Sequence, residues 1–169
     1  MAHDARVAFL RSAGPHDFPL LAAMRYEFRA AMDEPDEARD VFEARMIGWL
    51  GEHLGASPGA WNAWLAVDGE DAIGAVFLQI VDKVPGPVPE PEQLGYITSL
   101  YVRPEHRGAG VGAALLDAAL DECRARGVDT IVLWPSARSR SLYERRGFRS
   151  PGLVMELPLV DHPGRSRLS

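Results

Sequence analysis

Apolar positions recur with two different periods along this chain, and the change of period divides it. Leu20, Leu21, Met24, Phe28 and Met32 return every three or four residues, which predicts a helix over about 17–32. Asp17 stands where an N-cap is expected, with Pro19 in the first turn. Pro35 interrupts, and Val41, Phe42, Met46, Ile47, Trp49 and Leu50 predict a second helix from about Asp36 to Leu54. After the loop Gly55–Gly59 the period shortens to two. Trp61–Val67 reads as a strand, Asp68-Gly69 as a hairpin turn and Ile73–Val81 as the partner strand. Prolines 85, 87, 89 and 91 then alternate through an extended connection that can be neither helix nor central strand. Tyr96–Val102, rich in β-branched and aromatic residues, predicts a further strand. Leu115, Leu116, Ala119, Leu120 and Cys123 share one face of a helix over about Gly110–Arg126, stopped by Gly127. A strand over Thr130–Trp134, a short helix over Ser139–Arg146 and a last strand pair from Phe148 to Leu157 follow. With a first strand at Arg6–Arg11, the order βααβββαβαββ predicts one mixed α/β (α+β) domain over 1–160. A polar tail covers 161–169.

Composition narrows the function classes. A length of 169 residues, 47% of them apolar and 25% charged, suits one globular domain with a sizeable core. Eighteen basic against 24 acidic side chains give a net charge of −6, which argues against a general nucleic-acid binder. Seventeen of the basic residues are Arg and one is Lys83, which reads as coding bias rather than functional demand. Cys123 has no partner for an internal disulfide. The five histidines (His3, His16, His53, His106, His162) lack metal-ligand spacing, so no metal is expected. No apolar run approaches a membrane span and no secretory leader is visible. These features predict a soluble, cytoplasmic protein without a membrane or nucleic-acid partner; a homodimer stays open.

The chemically informative segment is Arg107-Gly108-Ala109-Gly110-Val111-Gly112-Ala113, entered from a strand and left by a helix. Alternate glycines allow close backbone approach to a ligand. The first-turn N–H groups lack intrahelical acceptors, so with the helix dipole they suit a pyrophosphate. The Gly-Lys-Ser/Thr of a Walker A loop is absent. Gly108-x-Gly110-x-x-Ala113 satisfies a loose Rossmann fingerprint, but Arg103–Arg107 separate it from its strand. The acidic residue expected some 20 positions on would fall near Trp134.

Arg107-x-x-Gly110-x-Gly112, following Tyr101-Val102-x-Pro104-Glu105, resembles the acetyl-CoA pyrophosphate signature of the GNAT N-acetyltransferase superfamily. Ser141-Leu142-Tyr143-Glu144-Arg145-Arg146-Gly147-Phe148 resembles that superfamily's late helix, in the same order and spacing. The likeness covers about 96–148 and, by element order alone, 1–92. It implies a central, mostly antiparallel mixed sheet flanked by helices, and acetyl-CoA as acyl donor. Leu100, Tyr101 and Val102 would then offer strand backbone to the pantetheine amides. Arg107, Gly108, Ala109, Gly110, Val111, Gly112 and Ala113 would hold the pyrophosphate, and Tyr143 would protonate the departing thiolate. Many members have Asn on the turn before the late helix; here Ser136 and Ser139 stand near it, and a hydroxyl can also bond a pantetheine amide.

A phenol suits the acid role because it stays protonated at neutral pH until a thiolate forms. The resemblance further implies that a backbone N–H on the strand carrying Leu100–Tyr101 would stabilise the oxyanion. For the base, Glu92, Tyr96, Asp82 and a water chain are all open. Residues 27–43 hold seven acids and two bases, so Glu27 and Glu34, with Tyr96, are candidate contacts for a small and cationic amine. The arginines of 138–149 would suit the CoA phosphates. Two other classes remain: a domain that binds acyl-CoA without transferring it, and an enzyme acting on protein N-termini or lysines.

Overall fold

The computed structural model describes residues 9–54, 59–90, 92–150, 152, 154, 155 and 157. Five strands form one sheet in chain order: β1 (Phe9–Ser12), β2 (Trp61–Asp68), β3 (Asp71–Asp82), β4 (Gln93–Val102) and β5 (Thr130–Val132). Neighbours run antiparallel except β4 and β5, which are parallel. A parallel pair needs a crossover, and α3 (Val111–Ala125) supplies it. Two helices, α1 (Phe18–Ala30) and α2 (Arg39–His53), link β1 to β2, and the short α4 (Arg140–Glu144) follows β5.

The sheet is covered on both faces. On one face Leu115, Leu116 and Leu120 of α3 and Tyr143 of α4 pack with Leu78, Ile80 and Ile97. On the other, Leu21 and Met24 of α1 and Leu50 of α2 pack with Leu65, Phe77 and Tyr101. This explains why β3 is buried continuously from Ala72 to Leu78 and does not alternate. A Cβ on Gly74 would lie 2.9 Å from the Tyr101 carbonyl oxygen and 3.0 Å from Leu115 Cδ1, so α3 docks where only glycine fits.

Two features of β4 prepare a site. Ala75 faces Tyr101 and Phe77 faces Thr98, so Val76 alone opposes both Ser99 and Leu100. That extra residue is a β-bulge, and Ser99 adopts φ 56° within it. Left-handed backbone costs a serine about 1–2 kcal/mol. The bulge also shifts the side-chain alternation. Ile97 packs with α3, and four residues later Tyr101 packs with α1. The second feature is where β5 stops. Its pairing with β4 ends at Tyr96–Val132, while β4 continues to Val102. The β4 edge over 97–102 therefore has no strand neighbour on that side among the described residues.

Three expectations need correction. Asp17 does not cap α1 with its side chain; its buried carboxylate accepts from the Gly14 N–H at 2.9 Å and pairs with Arg11 at 2.6 Å. β5 ends at Val132, short of Trp134, whose side chain is about half exposed. Of the strand pair expected over 148–157, residues 148–150, 152, 154, 155 and 157 form no strand, and 151, 153 and 156 lie outside the described residues. Arg6–Ala8 of the first strand and the tail 161–169 also lie outside them.

Candidate active site

The glycine segment is built as its spacing implies. A 3-10 turn at Pro104–His106 leaves β4, and α3 begins at Val111 with Gly110 as N-cap. Gly108 (φ 79°) and Gly110 (φ 83°) are left-handed, which glycine adopts without a Cβ penalty. A Cβ at either position would meet nothing within 4 Å, so the loop backbone faces open space. Gly112 serves packing instead: its Cβ position lies 3.5 Å from Val102 Cγ2 and 3.8 Å from Leu142 Cδ2. The first helical bond runs from the Ala114 N–H to the Gly110 carbonyl at 3.0 Å. The preceding N–H groups, through Ala113, are thus left for a ligand. Arg107 turns back to the strand. Its Nε donates to the Val102 carbonyl at 2.9 Å, with the guanidinium 5.8 Å from the centre of the Tyr101 ring. It fixes the loop to the end of β4.

Tyr143 is buried (7% exposed) in the α3-side core, edge-on to Phe148 at 5.7 Å. Burial raises its phenol above the ordinary value, and a hydrogen bond with the Ser139 side chain partly offsets this. The group therefore stays protonated across neutral pH. A bidentate pair positions its helix, with Arg146 Nε and Nη2 each donating to Asp117 of α3 at 2.9 Å. Ser136 and Ser139 are engaged with one another. Their hydroxyls lie 2.9 Å apart and each also accepts from the other's backbone N–H. They close the turn into α4, so turn geometry is what occupies them here.

Three of the seven acids of this stretch are held in ion pairs. Glu27 accepts both Nε and Nη2 of Arg103 at 2.9 Å and lies 3.6 Å from Arg39. Glu43 pairs with Arg39, and Glu37 with Arg45. Glu27 is thus a tie between α1 and the end of β4, not a free charge awaiting a cation. Glu34 does border a groove of about 330 Å³, together with Tyr26, Asp33, Asp36, Phe42 and Arg45. Among the candidate bases, Asp82 accepts from Gln93 Nε2 at 2.8 Å and Glu92 from the Gly86 N–H at 2.6 Å, so both serve the proline-rich connection. Tyr96 stands edge-on to Trp134 across the parting of β4 and β5, with ring centres 5.2 Å apart.

Two residues outside the sequence reading emerge here. Arg103 anchors α1, and Arg25 of α1 donates from Nη1 to Ser99 Oγ at 2.7 Å, at the bulge itself. Partners 76 and 74 positions apart leave no local signal.

This arrangement has close precedents. Residues 21–148 match the family model described as the acetyltransferase (GNAT) family. The chain belongs to this family. A mycothiol acetyltransferase from Beutenbergia cavernae is 43% identical over 88 residues, spanning 50% of this chain and 27% of that one. The chain thus matches about a quarter of that relative's length. A probable N-acetyltransferase from Mycobacterium tuberculosis is 29% identical over 154 residues, 85% of this chain and 80% of that one. In shape, the chain superposes on a predicted acetyltransferase from Clostridium acetobutylicum, crystallised with acetyl-CoA. The TM-score is 0.78 at 24% identity, over 92% of this chain and 99% of that one. The GNAT fold is therefore shared, mostly antiparallel sheet and flanking helices included. Among the described residues, no helix is long and apolar enough to cross a membrane.

Cys123 lies apart from this GNAT site, 1% exposed on the inner face of α3, where burial pushes its thiol up to about 11. The folded chain holds this proton more tightly than the unfolded one. Its contribution to stability is full below about pH 8.5, and it is lost as pH rises toward about 11. At neutral pH a disulfide reagent should therefore modify Cys123 only at the rate of chain opening. Rapid labelling of the native protein would show the thiol to be accessible instead.

Proposed function

We propose that this GNAT protein transfers an acetyl group from acetyl-CoA to the primary amine of a small molecule. The observation that carries the reading is one continuous stretch of backbone. Among the described residues the β4 edge over 97–102 has no strand neighbour beyond the end of β5, and a 3-10 turn carries the chain from it to the left-handed glycines at the start of α3. An extended thiol arm with amide groups can pair with such an edge, while its pyrophosphate meets the N–H groups of Gly108–Ala113. Relatives known as acetyltransferases agree with this reading.

In the reaction the neutral amine nitrogen attacks the thioester carbonyl carbon. Negative charge gathers on the carbonyl oxygen, where a backbone N–H of the bulge at Leu100–Tyr101 would stabilise it. The C–S bond then breaks and the acetyl group stays on nitrogen as an amide. The nitrogen's proton leaves to water, and the thiolate takes a proton from Tyr143. Desolvation keeps Tyr143 in its protonated form, as an acid must be before the step.

The test is release of free CoA thiol from acetyl-CoA. Release should depend on added amine and match the N-acetyl product mole for mole. Acetyl-CoA binding without amine-dependent release would favour a domain that holds acyl-CoA without transfer.

A further inference from the structure

Among the described residues, Arg25 is a cation without a counter-ion, placed at the bulge of β4. Its Nη1 donates to Ser99 Oγ at 2.7 Å, and its guanidinium carbon lies 5.6 Å from the centre of the Phe28 ring. Among the described residues no carboxylate pairs with it. A neighbouring arginine, Arg29, stands one turn further along α1, also without an ion pair among the described residues, and Tyr96 is in electrostatic contact. Three nearby arginines do find carboxylates: Arg103 and Arg39 are met by Glu27, and Arg45 by Glu37. A serine hydroxyl satisfies one N–H of a guanidinium but leaves its charge unmet, and a half-buried unpaired charge is costly. Burial does lower the Arg25 pKa, as a cation lacking an anion requires.

The surroundings say where the missing anion would come from. The bulge meets the Arg25 charge on the α1 face of β4, since Arg25 and Phe28 both belong to α1. On that face Ser99, Tyr101, Phe28 and Arg25 gather around the bulge, with Tyr96 in reach of the Arg25 charge. A molecule with its amine at the thioester would set its other end against Arg25. Resting on the acetyltransferase reading, we infer that the acceptor amine carries an anionic group, a carboxylate or phosphate, which Arg25 binds at the bulge of β4. The planar guanidinium offers several donors in a fork that matches either oxyanion, and Ser99 occupies one of them. The acidic groove beside Glu34 is lined by Tyr26 and Arg29 of α1, and none of its carboxylates forms an ion pair with Arg25.

The experiment compares acetyl transfer to β-alanine, aminoethyl phosphate, aminopropanol and diaminopropane, which are similar in length and differ in charge. The wild type should favour β-alanine or aminoethyl phosphate over aminopropanol by at least about tenfold in kcat/KM. Whichever anion is preferred separates carboxylate from phosphate. Arg25→Gln keeps a donor for Ser99 and should lower kcat/KM for the anionic amines by roughly 10–100-fold, mainly through KM. The preference over aminopropanol then collapses, while KM for acetyl-CoA stays as in the wild type and reports an intact fold. Arg25→Lys should retain part of the preference. Equal or better use of diaminopropane or aminopropanol by the wild type overturns the inference, as does an unchanged preference in Arg25→Gln. Absence of transfer to any amine overturns the acetyltransferase reading itself, and the inference falls with it.

Discussion

Gly110→Asp should weaken acetyl-CoA binding about 10²-fold more than Gly110→Asn does. The left-handed backbone at Gly110 makes the pairing necessary, because any side chain there adds strain that a single substitution would confuse with lost binding. Asn and Asp are the residues that best tolerate this conformation, and both are favoured at a helix N-cap. Strain, size and capping are thus shared by the two variants, and charge is the remaining difference. A carboxylate about 5 Å from a phosphate costs roughly 3 kcal/mol at an effective dielectric near 20, which corresponds to about 10²-fold. The open space around a Cβ at this position means that neither variant has to displace protein atoms. Calorimetric titration of both variants with acetyl-CoA checks the prediction. Equal affinities would show that no phosphate lies at the start of α3.

Tyr143→Phe should lower kcat roughly 10²-fold and leave the affinity for acetyl-CoA unchanged, the effect expected of a general acid. The ring is buried and packs on Phe148, so removing only the hydroxyl preserves its shape in the core. The raised pKa of the phenol bears on the outcome: Tyr143 enters the step protonated at neutral pH, as a general acid must. A structural role predicts instead a loss of stability with kcat within a few fold of wild type. Asp117→Asn separates the two further. It loosens the bidentate hold of Arg146 on α3 and should shift the Tyr143 helix, lowering kcat while the hydroxyl remains. Single-turnover measurements ensure that chemistry, not product release, is being read.

How much of this was legible in the chain follows from the range of each interaction. The strand–glycine–helix segment 96–126 and the short helix around Tyr143 are set by neighbours in sequence, and they form close to where periodicity puts them. The bulge at Ser99 had no such signal. Tyr96–Val102 reads as one uninterrupted strand, and the extra residue exists only in the pairing with β3. Charge misled for the same reason. Glu27 sits in an acidic stretch, yet its partner Arg103 lies 76 positions away. A local charge count therefore pictures a steering anion where the fold has a tie between helix and strand. Asp17 repeats the lesson on a smaller scale, since Arg11 across the β1 turn captured the carboxylate that capping statistics assign to the helix. Arg25 illustrates the converse. Nothing in its neighbourhood along the chain distinguishes it from 16 other arginines, and only its place beside Ser99 gives it a role.

The central claim is that the parted edge of β4 and the start of α3 together hold acetyl-CoA. Amide chemical shifts during a titration test it most directly, because they report each backbone N–H separately. Acetyl-CoA should move the amides of Leu100, Tyr101 and Val102 and those of Gly108 through Ala113 together, along one saturation curve, while NAD leaves them in place. Shifts confined to other parts of the chain, or an equal response to NAD, would contradict the account.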